Sequence, residues 1–130
     1  MFIAVSWISF YIGAPFDMAR RYCMALDLQD DPALIAEYKR YHQPEHAWPE
    51  ITESIKGAGI RDMQIYAVGN RLFMIMEVDE DFSFAAKAEA DAANPKVMEW
   101  EKLMWKYQLP LPWAKAGEKW MLMEQIYQLS

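Results

Sequence analysis

The sequence predicts one α+β domain, an antiparallel sheet with helices on one face, in the order β-α-β-β-α-β. Three observations carry this. Residues 60–68 and 71–78 are runs of strand character flanking Gly69-Asn70, a two-residue hairpin signal. One strand-like run precedes a first helical block, and a second helical block follows the hairpin. The chain has 130 residues, 54% of them hydrophobic, which suits a single compact domain with its own core. It contains no internal repeats, low-complexity tracts or domain linkers.

The first 16 residues, MFIAVSWISFYIGAPF, carry no charge. They fall short of the roughly 20 apolar residues a membrane span needs, and they lack the basic start of a secretory signal. Charge begins at Asp17, and Met18 is itself an eligible initiator. Residues 1–17 are therefore expected to be an extension, a start-site artefact or an interface arm, outside a domain occupying 18–130.

Arg20 to Leu28 reads as the first strand, ended by Gln29-Asp30-Asp31. Asp31 then Pro32 is a helix start, a capping side chain followed by proline at the first helical position. Leu34, Ile35, Tyr38, Tyr41 and His42 fall at i, i+1, i+4, i+7 and i+8, one face of that helix. Pro44 interrupts it, Trp48-Pro49-Glu50 opens a second helix through Ile51 and Ile55, and Gly57 and Gly59 end it. After the hairpin, a helical block from Phe82 to Tyr107 is broken at Asn94-Pro95, where Asn94 caps a new helix. Leu109 to Pro112 reads as an extended connector, and Lys119 to Tyr127 as the last strand. This order is the split β-α-β, or ferredoxin-like, arrangement.

Strand alternation gives the sheet two faces. Met63, Ile65 and Ala67 alternate with Asp62, Gln64 and Tyr66, and Leu72, Met74, Met76 and Val78 alternate with Phe73, Ile75 and Glu77. Helices on one side cover only one set. The other is mixed apolar and polar, so a sheet-to-sheet homodimer is expected.

Charge and cysteine content exclude several functions. A net charge of −6 argues against nucleic acid or an anionic membrane as main partner. One cysteine, Cys23, rules out an internal disulfide and a multi-cysteine zinc site, and it fits a cytoplasmic setting. Phosphate-binding glycine loops, HExxH and GxSxG are absent. His42 and His46 are spaced for metal ligation only on a continuous helix, Pro44 lies between them, and no third ligand is nearby. No metal or cofactor is expected.

His42 stands apart because it shares the apolar helix face with Tyr38, one turn earlier. It reads either as a core histidine satisfied by a neighbour or as an imidazole in a partly dry site, titrating near operating pH. His46 reads as a solvated loop residue. Trp100, Trp105 and Tyr107 of the later helix read either as a core stripe or as a pocket wall. Aromatic faces stack on the C–H-rich faces of sugar rings, and a haem or other cofactor would fit such a wall too.

From Arg21 to Tyr127 the chain resembles the L-rhamnose mutarotase family, which includes relatives acting on L-fucose. The residues that carry the resemblance are Glu37-Tyr38-Lys39-Arg40-Tyr41-His42 and then Trp48-Pro49-Glu50-Ile51. Gly59, Ile65-Tyr66, Arg71-Leu72-Phe73 and the helix containing Trp100 add to it. The resemblance implies a dimeric α+β barrel and an enzyme interconverting the α and β anomers of a 6-deoxy-L-hexose. It also implies His42 as the acid/base residue and Tyr38 in the sugar site. Tyr66, Trp100 and Trp105 are expected to hold the ring, and Tyr38, Asp62 or Glu77 to serve as the second acid/base group. Two departures bear on which sugar: Gln43 to Ala47 is a longer loop than in typical rhamnose members, and Glu99-Trp100 replaces a double tryptophan. Pro110-Leu111-Pro112-Trp113 is closer to members associated with fucose. The competing expectation is a cofactor-free monooxygenase or a haem- or small-molecule-binding module of the same barrel type.

Overall fold

The computed structural model describes residues 20–129, and the expected extension at 1–17 lies outside them. Five strands and four helices follow in chain order: β1 (Arg20–Leu28), α1 (Pro32–Tyr41), α2 (Pro49–Gly57), β2 (Ile60–Val68), β3 (Arg71–Val78), α3 (Phe84–Ala92), α4 (Pro95–Met104), β4 (Gln108–Leu109) and β5 (Met121–Leu122). The sheet is antiparallel in the order β2-β3-β1-β4, with β5 also on β1.

The helix starts follow their side chains. Asp31 accepts from the backbone N–H of Ala33 and Leu34, and Pro32 follows it at the first helical position. Asn94 does the same for Lys96 and Val97 ahead of Pro95's helix, and Ser83 accepts from Ala86. Gly69, at φ 58°, supplies the left-handed residue of the β2–β3 hairpin.

One face of the sheet bears the core. Met24, Leu26 and Leu28 of β1 and Leu72, Met74, Met76 and Val78 of β3 are all buried. α1 and α4 cover one end of this face through Tyr38, Met104, Leu34, Ile35 and Leu103, and Ile55 of α2 packs at the other. A bulge between Ile60 and Asp62 shifts the β2 register, so Ile60 and Met63, three residues apart, both reach the core. Strict alternation would have put Ile60 on the opposite face.

The C-terminal segment departs from expectation. A strand over Lys119–Tyr127 is reduced to Met121–Leu122, and the expected connector at 109–112 begins inside β4. β1's edge is shared, β4 taking Asp27 and Leu28 and β5 taking Met24 and Ala25, so β4 bounds β5 only at its start. A final bond from Met123 N–H to the Cys23 carbonyl, at 2.8 Å, closes the ladder.

Candidate active site

The site grows from the end of α1. Tyr38 lies in the last turn, 4% exposed, with its ring against the core. His42 is the C-cap, where Pro44 prevents the helix from continuing. The chain then turns through Gln43–Ala47, with His46 and Ala47 donating to the Gln43 carbonyl.

One helical turn brings the two rings together, the His42 and Tyr38 centroids standing 4.4 Å apart. His42 Nδ1 lies 2.8 Å from the Tyr38 carbonyl oxygen. A carbonyl only accepts, so Nδ1 carries the proton and Nε2 presents a lone pair. Nε2 has no protein partner among the described residues. His42 is open to solvent on one side but walled by Tyr38 and Trp100. That partial burial lowers its pKa below the usual imidazole value, against a smaller raising effect of the Tyr38 bond.

Tyr38 is shifted the other way. Burial is the largest cause, and the nearby Glu101 charge adds to it; a bond from Gln108 opposes them, leaving the phenol pushed up to about 12. Neutral imidazole beside neutral phenol is a base beside an acid.

Trp100 of α4 stands 5.7 Å from the His42 ring, and Trp48 stands 5.1 Å from Trp100, closing an aromatic corner with Tyr41. The Trp-Pro-Glu motif thus has a local rationale. Trp48 precedes α2 and contributes the wall, Pro49 starts the helix, and Glu50 lies in its first turn, where the helix dipole favours an anion.

The remaining expected residues separate. Trp105 ends α4, 38% exposed, with the Lys119 ammonium 4.6 Å over its ring. Lys119 also pairs with Glu101 at 2.6 Å, so Trp105 flanks the charged side of the site. Tyr66 is not brought in. It pairs with Phe73 on the face away from the helices, is 56% exposed, and donates to Gln64. Asp62 and Glu77 pair on that same far face.

Two residues went unnoticed in the sequence. Gln108 lies in β4 opposite Leu28 and reaches the Tyr38 hydroxyl. Lys119 reaches Glu101 across 18 positions. Neither lies in a local motif. Among the described residues no group of three or more His, Cys, Asp or Glu side chains could hold a metal, and no helix is long and apolar enough to cross a membrane.

Comparison with known proteins places the chain in a family. A family profile described as L-rhamnose mutarotase matches residues 21–129. The chain belongs to the L-rhamnose mutarotase family. An L-fucose mutarotase from Xanthomonas campestris pv. campestris is 48% identical over 111 residues, covering 85% of this chain and 89% of that protein. A UPF0734 protein of Dictyostelium discoideum is 38% identical over 117 residues, covering 85% and 90%. Among solved structures, an L-rhamnose mutarotase from Formosa agariphila superposes with a TM-score of 0.60 at 19% identity, covering 85% of this chain and 99% of that one. Tetracenomycin F2 cyclase from Streptomyces glaucescens shares the fold at a TM-score of 0.54 and 18% identity, covering 85% and 97%. Membership in the mutarotase family agrees with the motif read at the end of α1, and the α+β fold with helices on one sheet face is as expected.

Proposed function

We propose that this mutarotase-family chain interconverts the α and β anomers of a 6-deoxy-L-hexose, an aldose 1-epimerase type reaction, with L-fucose as its preferred substrate. The observation that carries the chemistry is the His42–Tyr38 pair, in which one ring presents a lone pair and the other a retained proton. His42 Nε2 removes the proton from the anomeric hydroxyl as the Tyr38 hydroxyl gives its proton to the ring oxygen. The C1–O5 bond breaks to the open aldehyde, C1 turns, and O5 attacks its other face. As the ring closes, O5 returns its proton to Tyr38 and the protonated His42 gives its proton to the new anomeric oxygen, so both residues end as they began.

Trp48 and Trp100 would stack on the sugar's C–H face, and Trp105 would bound the charged side. Tyr66, Asp62 and Glu77 have no place near this pair within one chain, so Tyr38 is favoured as the second acid/base group. The preference for L-fucose is supported by the Xanthomonas relative and by the longer Gln43–Ala47 loop. The sheet's far face, where Ile75 and Phe73 are half-buried, supports a homodimer. A cytoplasmic location fits metabolism of a free monosaccharide.

Saturation-difference NMR on a panel of free hexoses and 6-deoxyhexoses tests the reaction and the substrate together. Faster anomer exchange for L-fucose than for L-rhamnose is expected. Exchange at the spontaneous rate for every sugar would overturn the reading.

A further inference from the structure

We infer that Gln108 is a ligand-binding residue of this site, its side-chain amide taking a hydroxyl of the bound sugar. This rests on the mutarotase reading and adds a specificity-determining contact to it. Pairing with Leu28, whose side chain lies in the core, directs Gln108 to the helix-covered face, where it is 4% exposed. The amide Nε2 donates to the Tyr38 hydroxyl at 3.4 Å. Its Oε1 is buried and has no hydrogen-bond partner among the described residues.

Such an orphan is costly to keep, and a leucine of similar size would avoid it. Turning the amide over does not remove the problem. Oε1 would then accept from Tyr38, and the NH2 would be bare instead. One polar end is unpartnered in either orientation, and a hydroxyl, both donor and acceptor, satisfies either. A ligand rich in hydroxyls is what the proposed reaction supplies.

The position adds meaning to the contact. By donating to the Tyr38 oxygen, Gln108 leaves the phenol's own proton free for the ring oxygen. Its other end then meets a hydroxyl near that oxygen. The C2 and C4 hydroxyls are the candidates, and these are the two centres at which L-fucose and L-rhamnose differ in configuration. Glu101, whose charge reaches Tyr38 and which is held by Lys119, makes this the polar end of the site.

The test compares wild type with Gln108→Leu on L-fucose and on its 2-deoxy and 4-deoxy analogues, by saturation-difference NMR and thermal unfolding. KM for L-fucose should rise about tenfold, the worth of one neutral hydrogen bond, with little change in kcat. One deoxy analogue should be turned over equally by both proteins, and the unfolding midpoint should not fall. Equal turnover of L-fucose by variant and wild type overturns the inference alone. Equal losses on L-fucose and both analogues also overturn it, because the residue is then structural. Gln108→Met, unbranched and of similar length, gives the same comparison if the leucine variant does not fold, and failure of both to fold again marks a structural residue. A wild type that accelerates no sugar's exchange overturns the mutarotase reading and this inference with it.

Discussion

The two faces of the sheet are built from the same strands and differ in what they ask of polar groups. On the helix-covered face Tyr38 and Gln108 are buried and His42 is open on one side only, and Tyr38 and His42 change their proton affinity as a result. On the far face, Asp62, Gln64 and Tyr66 stand in solvent and bond mainly to one another. Phenols occur on both, Tyr66 standing in solvent on the far face while burial raises the Tyr38 pKa to about 12. Environment rather than residue type separates a candidate catalyst from a surface side chain.

The largest expected effect breaks the covered face chemically. His42→Ala should lower anomer exchange by about 10²–10⁴-fold, the range of one general acid/base group, with the fold retained because His42 caps a helix at the surface. Tyr66→Phe on the far face should leave exchange near wild type. Saturation-difference NMR on both variants checks the contrast, and a Tyr66 effect as large as that of His42 would mean that the far face joins the site.

Next comes packing. Leu26 is fully buried, so Leu26→Ala should cost about 2–5 kcal/mol. Ile75, half-buried on the far face of one chain, should lose clearly less on the same truncation in a denaturant titration of protein dilute enough to be monomeric. A loss at Ile75 equal to that at Leu26 would show that a second layer covers the far face in solution.

The pH profile is the subtlest test. The base must be unprotonated, so exchange should rise with pH through the His42 pKa and level off. That limb should lie below about 6.5, the ordinary imidazole value, because burial lowers the His42 pKa. No alkaline limb from Tyr38 should appear until pH nears its value of about 12. A limb at or above the ordinary imidazole value would mean that the ring is fully solvated when it acts.

Much of the architecture was legible because its signals are local. Asp31-Pro32, Asn94-Pro95 and Gly69-Asn70 set boundaries through caps, a fixed φ and a left-handed turn residue, none of which needs a distant partner. Tyr38 and His42 could likewise be paired in advance, since one helical turn fixes their separation. Tyr66 illustrates the limit. It lies beside Ile65 in a family-like stretch, but only strand pairing decides that it faces away from His42. The last strand was overestimated: alternation in 119–127 allows pairing, but the chain pairs with β1 only at Met121–Leu122.

The sequence by itself determined the order of elements, the family motif at the end of α1 and the Tyr38–His42 pairing, because each depends on contacts within a few residues. Tertiary structure alone decided that Gln108 meets Tyr38 across 70 positions, that Lys119 meets Glu101, and that Trp48 meets Trp100. Those contacts arise where separate elements are packed over one face of a sheet. Burial there sets both pKa shifts and leaves an amide oxygen without a partner, and burial is a property of the assembled fold that no short stretch of chain encodes.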